Sequence, residues 1–144
     1  MKKIITFCAI AITAIACQPK AEVHNIKAET MKLHDLVMTE HGKIIDNQMK
    51  VDTLLNSLSE LKSKFPTIDT LAEKAEMVKI MTDLVKAEEQ MNDWMHNFDA
   101  DFKSQSDTAT NNYYQKEHDK IAKVSELYQL EIKKSSTYLS KFNK

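Results

Sequence analysis

The stretch Val37–Phe65, VMTEHGKIIDNQMKVDTLLNSLSELKSKF, decides the fold. Val37, Ile44, Val51, Leu58 and Phe65 recur every seven residues, with Met38, Ile45, Leu54, Leu55 and Leu61 beside them. Apolar side chains three, four and seven apart share one face of an α-helix, whereas a half-buried strand needs alternation. The wet side carries Asp46 with Lys50 and Glu60 with Lys64, acid-before-base pairs that support a helix. Pro66 disfavours helical geometry at Phe65 and ends the run. The pattern predicts a first helix over residues 26–64. Gly42 is its weak point, about 1 kcal/mol less favourable than Ala in a helix interior. A Gly there suggests close packing or a bend, with a merely tolerated Gly as the alternative.

Two more helices follow. Thr70-Leu71-Ala72-Glu73 has capping-box spacing, so a second helix is expected over 70–103. Its stripe is Met77, Met81, Leu84, Glu88, Met91, Met95, Phe98 and Phe102. Ser104–Thr110, SQSDTAT, reads as a loop, and Thr110 can cap a third helix over 110–142. That helix carries Tyr114, Ile121, Val124, Tyr128, Tyr138, Leu139 and Phe142. Short connections make neighbouring helices antiparallel, which predicts an all-α, up-down-up antiparallel three-helix bundle with long helices. Extended helices that oligomerise as a coiled coil are the alternative, because each stripe has heptad character.

Composition removes whole classes of function. One Gly in 144 residues excludes a phosphate-binding loop, a G-x-G-x-x-G dinucleotide site and a nucleophile elbow. All 20 basic residues are Lys, against 21 acids, so no arginine fork can grip phosphate or read guanine. Lys and acids are interspersed without a basic patch, and no nucleic acid partner is expected. Cys8 and Cys17 are too close to the start to build a disulfide framework.

Lys2 and Lys3 precede an apolar run, Ile4–Ile15, that ends in Ala14-Ile15-Ala16-Cys17. A basic start, an apolar stretch and small residues at a cleavage point describe an export signal over 1–16. The run falls short of the roughly 20 apolar residues a membrane-spanning helix needs. Two processing routes fit: cleavage by ordinary signal peptidase, leaving Cys17 as a free N-terminus, or a lipobox in which the Cys17 thiol takes a diacylglyceryl group. Lipidation is the expected route, since Cys17 stands at the cleavage point of a chain with no other cysteine beyond the signal. Residues 17–25 would then be the lipidated N-terminus and tether, and the protein an extracytoplasmic one anchored to the cell membrane or outer membrane. Loss of Lys2 and Lys3 with the signal leaves 18 lysines against 21 acids, formally −3. So acidic a body has no electrostatic reason to lie on an anionic bilayer.

Met31-x-x-His34-Asp35-x-Val37-Met38, Gly42-x-Ile44 and Met91-Asn92-Asp93-Trp94-Met95 followed by Phe98 resemble a family of small bacterial lipoproteins. Its members often carry the label "viral A-type inclusion protein", a name that reflects coiled-coil likeness. Asn92 departs from the Met expected there, and the third helix matches only in character. The resemblance implies a helical lipoprotein and adds no chemistry.

Chemistry has few places to reside. His34, Met38 and His41 share one face of the first helix, and Met91 and Met95 one face of the second. An antiparallel register brings Met38 and His41 level with Met95 and Met91, with His118 near, as a layer of thioethers and imidazoles. Such ligands suit Cu(I), or haem held axially, which makes His34, Met38, His41, Met91 and Met95 the candidate metal residues. Core packing is the competing reading, since Met fills irregular helical interiors. Glu88 interrupts the second stripe near Gln48, either as a buried polar pair or at the stripe's wet edge. Di-iron bundles need Glu-x-x-His, but Met31, Met38, Asp93 and Gln115 stand three residues before the histidines at 34, 41, 96 and 118. No nucleophile has a recognisable partner, so catalytic residues and cofactors are not expected. The expectation is a non-catalytic interaction or structural component of the cell envelope. Its partners would be the membrane through Cys17, an envelope protein and, on the heptad character, a second copy; a copper or haem protein is the alternative.

Overall fold

The computed structural model describes residues 20–142, and among them the chain is all-α with no strand. Four helices follow in order: α1 Lys20–Asn56, α2 Leu58–Lys64, α3 Thr70–Asn97 and α4 Asp107–Leu139, with a 3₁₀ turn Ser140–Phe142 closing the chain. The long α1, α3 and α4 pack together as a helical bundle. The expected signal over 1–16 and the lipidation residue Cys17 lie outside the described residues.

Side-chain contacts give the order of packing. His41 meets Tyr128, and Asn47 meets Ser135 and Ser136, so residue numbers rise together along α1 and α4. Gln48 meets Glu88, and His34 meets Trp94, so numbers fall along α3 as they rise along α1. Val37, Ile44 and Val51 of α1 interlock with Met77, Leu84 and Met91 of α3 and Ile121 and Tyr128 of α4, all fully buried in one core. The buried positions step by three and four, the spacing that lets side chains of one helix fill the gaps of the next.

The second helix starts at Thr70 and the helical structure before it ends at Lys64, as expected, while the other boundaries moved, each for a local reason. The first helix begins at Lys20 rather than 26, because no Gly or Pro intervenes between Pro19 and Gly42. It does not run through to 64 but breaks at Ser57, whose backbone turns to φ −122°, ψ 32°. Thr53 and Ser57 donate their hydroxyls to the carbonyls four residues back, 2.8 and 2.7 Å away, a competition that bends helices. α2 then ends at Lys64 before Pro66. Asp69, not Thr70, caps α3: its Oδ1 accepts from the amides of Leu71 and Ala72. Glu73 makes no capping box and instead accepts a hydrogen bond from the Tyr138 hydroxyl at 2.6 Å.

α3 stops at Asn97 instead of 103 because aromatic packing draws the next residues out of the helix. Phe98 stacks on Trp94 at 4.5 Å and Phe102 on Tyr113 at 4.1 Å. The Tyr113 hydroxyl accepts from the Asp99 amide, and the Tyr114 hydroxyl donates to the Ala100 carbonyl. α4 starts at Asp107 rather than 110, with Ser106 as cap accepting from the Ala109 amide. Thr110 is buried inside that helix, where its hydroxyl accepts from the Ser104 amide and ties the loop down. The helix ends at Leu139 and tightens to the 3₁₀ turn, where Phe142 meets Phe65 and Tyr138 edge-on.

Gly42 neither packs closely nor bends the chain. It is exposed within α1, and a Cβ added there meets nothing within 4 Å. Gly42→Ala therefore removes only the backbone-entropy cost of glycine. It should stabilise the bundle by about 1 kcal/mol, seen as a thermal midpoint a few degrees higher by circular dichroism.

Candidate functional site

The methionines and histidines of the expected layer differ in burial and in partners. Met91 is fully buried, whereas Met38 is 39% exposed and Met95 37% exposed, so the three thioethers occupy different surroundings. His34 lies against Trp94, ring centroids 5.8 Å apart, and its Nδ1 is 2.9 Å from Asp35 Oδ1. His41 Nδ1 is hydrogen-bonded to the Tyr128 hydroxyl at 3.1 Å, its ring stacked over the phenol. His118 Nδ1 is buried without a hydrogen-bond partner. Among the described residues no three of His, Cys, Asp and Glu gather as a metal ion would require. His34 and His41 thus each have a partner of their own, an aspartate and a tyrosine.

Several polar groups inside the bundle are held in pairs, while Glu40 Oε2, Trp94 Nε1 and His118 Nδ1 are buried without a hydrogen-bond partner. Glu88 is half-buried and accepts from Gln48 Nε2 at 3.0 Å, which joins α1 to α3. Asn47 donates to Ser135 and Ser136 across α1 and α4. Glu117 and Glu131 occupy core-facing positions of α4, buried, each accepting from a lysine three residues on, Lys120 at 2.6 Å and Lys134 at 2.7 Å. A groove of about 450 Å³ between α3 and α4 is lined by Trp94, Asp93, Glu117, Lys120 and Lys123 among others. Its acids and lysines are intermixed, and it holds no pairing of nucleophile and base. Burial raises the Tyr128 hydroxyl to about 12, with Glu88 adding to the shift. Burial and the Glu73 carboxylate raise that of Tyr138 further.

The outer surface is less ordinary than the interior. Met38 and Met49 of α1, and Met95, Val85, Val78 and Leu71 of α3, are all exposed. Gln48 and Glu88 mark where α1 and α3 face each other. By helical period, Met38, half-buried Ile45 and Met49 lie just outside the row His34, His41, Gln48. Val85 and Val78 lie likewise just outside Glu88 and Met81. Met38, Met49, Met95 and Val85 therefore border the seam between α1 and α3, while Val78 and Leu71 lie past the end of α1 at Asn56, on the stretch of α3 that meets α2. Leu36 and Leu130, also exposed, stand apart from it. Sequence reasoning assigned Met38 and Met95 to the interior and passed over Met49, Val78 and Val85. The signal was present in Leu71, Val78 and Val85, seven residues apart but out of phase with the core row Met77, Leu84, Met91.

No known family model, curated protein or solved structure matches this chain.

The tyrosines give the bundle a base limit. A hydroxyl with a raised folded pKa contributes stability that is complete below its unfolded value of 10 and is lost as pH rises through 12. Unfolding on titration from pH 10 to 12 should accompany tyrosinate absorbance, and Tyr128→Phe should weaken that pH dependence at constant denaturant. An unchanged slope in Tyr128→Phe would place the loss elsewhere.

Proposed function

We propose that this protein is a lipid-anchored extracytoplasmic bundle of up-down-up, antiparallel topology that acts by binding another helical protein and catalyses nothing. The order of contacts along α1, α3 and α4 supports the topology. The observation that carries the binding reading is the exposed apolar line along the α1–α3 seam. Single exposed apolar residues are normal, but a contiguous patch of several hundred Å² marks a place where another molecule sits. The anchor reading rests on the sequence Ala14-Ile15-Ala16-Cys17 after the basic and apolar start, and on the resemblance to small helical bacterial lipoproteins. No helix among the described residues is long and apolar enough to cross a membrane, so attachment of this body would fall to the acyl chains at Cys17.

Two experiments separate the parts of the reading. In a bacterial host, the chain should sediment with membranes and accumulate as unprocessed precursor under globomycin, while Cys17→Ala should appear in the soluble extracytoplasmic fraction. A Cys17→Ala chain still held on membranes would overturn the lipid anchor. Met49→Glu with Val85→Glu should leave thermal stability within about 0.5 kcal/mol, as expected for exposed sites, yet abolish association with the partner. A loss of stability of several kcal/mol would show the line to be structural.

A further inference from the structure

We infer that the α1–α3 seam holds a site for monovalent copper, Cu(I), with His41 Nε2 and the thioethers of Met38 and Met95 as its ligands. This goes beyond the binding reading above and does not rest on it.

Register is the first argument. Gln48 Nε2 reaches Glu88 at 3.0 Å across the seam, where residue numbers fall along α3 as they rise along α1. Seven residues before Gln48 stands His41, and seven after Glu88 stands Met95. A helical row keeps its facing over a seven-residue step, so the crossing that joins Gln48 to Glu88 recurs with His41 opposite Met95. The His34–Trp94 contact, ring centroids 5.8 Å apart, brackets the same stretch from the other end. Midway between the two contacts His41 is level with Met91, which sets Met38 level with Met95 to within about one residue of rise. Met38 and Met95 are both exposed at the seam, and His41 is half-buried in the row behind Met38.

The aim of the imidazole is the second argument. Its Nδ1 is hydrogen-bonded at 3.1 Å to the hydroxyl of Tyr128, which is fully buried. The two ring nitrogens face away from each other, so Nε2 turns from the core toward the seam. A metal-binding histidine is held in this way, by a partner on the other nitrogen that fixes the tautomer and the ring. With Cu(I) on Nε2 the proton sits on Nδ1 and is donated to the Tyr128 oxygen. His34 lacks such support from the core: its Nδ1 faces exposed Asp35 of its own helix, and its ring lies against Trp94.

Donor chemistry is the third. Thioethers and imidazole suit Cu(I), whereas magnesium and calcium want oxygen ligands. Glu88, the carboxylate in the same row as Met95, is taken by Gln48. Among the described residues no three of His, Cys, Asp and Glu gather, so a harder cation finds no comparable set there. Exposure, which wastes a methionine as packing, is what a thioether ligand needs in order to be reached.

Cu(I) titration tests the site, on the full chain purified in detergent with Cys8→Ser and Cys17→Ser so that no thiol competes. Under anaerobic ascorbate the chain should withdraw one equivalent of Cu(I) from the chelator ferrozine. X-ray absorption should place both sulfur and nitrogen around the metal. Copper should raise the thermal midpoint, since it binds the folded bundle alone. Met38→Leu and Met95→Leu keep the side-chain volume at exposed positions, so helical circular dichroism should be unchanged. Each should weaken Cu(I) binding about tenfold or more, and Tyr128→Phe about tenfold. His41→Ala should abolish binding; because that residue also sets register, the two methionine variants carry the test. Met49→Leu and His34→Ala should bind as before. No uptake from ferrozine, or copper without sulfur neighbours, would overturn the site. So would an affinity unmoved by both Met38→Leu and Met95→Leu, or binding that survives His41→Ala and is lost in His34→Ala.

Discussion

The bundle depends on one constraint: side chains that step by three and four along each long helix must fit the gaps left by the other two. On α3 the buried row is Met77, Ile80, Leu84, Ala87, Met91 and Trp94. On α4 it runs through Tyr114, Glu117, Ile121, Val124 and Tyr128 to Tyr138. Thr30, Val37, Ile44 and Val51 supply the matching row on α1. This spacing keeps each row facing the bundle axis over many turns. The rows taper into aromatic clusters at both ends: Trp94, Phe98, Tyr113 and Tyr114 at one, Phe65, Tyr138 and Phe142 at the other. The turns take their shape from those clusters, which is why the α3–α4 connection begins at Phe98 instead of after Phe102.

Apolar rows of this kind can slide by a heptad at little loss, and the buried polar groups oppose that. Asn47 finds the hydroxyls of Ser135 and Ser136 only in one register of α1 on α4. His41 and Tyr128 fix the same register two turns away, and Gln48 with Glu88 fixes α1 against α3. A slip would leave buried Asn47 and Ser135 without partners, at a cost of about 1–3 kcal/mol apiece, and half-buried Gln48 and Glu88 at less. His41 thus helps to set the register, and burial raises the pKa of the tyrosine hydroxyl it meets.

Helix content and the three long segments were legible in the sequence because seven-residue repeats of Val, Ile, Leu and Met have only one economical reading. Boundaries were less so. Ser57 breaks α1 without Gly or Pro, through hydroxyl competition that needs several neighbouring Ser and Thr to act together. Asp69 and Ser106 displaced Thr70 and Thr110 as caps because the tertiary contacts of Glu73 and Thr110 claimed those residues first. The exposure of Met38 and Met95 was hidden for a different reason. Periodicity tells which residues share a face but not which of two apolar faces turns inward, and α1 has two: Val37, Ile44, Val51 and Met38, Ile45, Met49. Only packing against α3 and α4 decides between them.

That second face is where stability and binding separate. A polar residue at Met49 or Val85 would cost the isolated bundle almost nothing, so folding does not explain why the positions are apolar. Buried area alone does not set the strength of an association at that face, because lost translational and rotational freedom and the ordering of flexible methionines oppose it. Anchoring at Cys17 would change the balance without a new contact. Chains held on one surface meet at a far higher effective concentration than chains in free solution. If the chain is anchored as proposed, the apolar surface would supply the contact and confinement to the membrane would supply the concentration at which it is occupied.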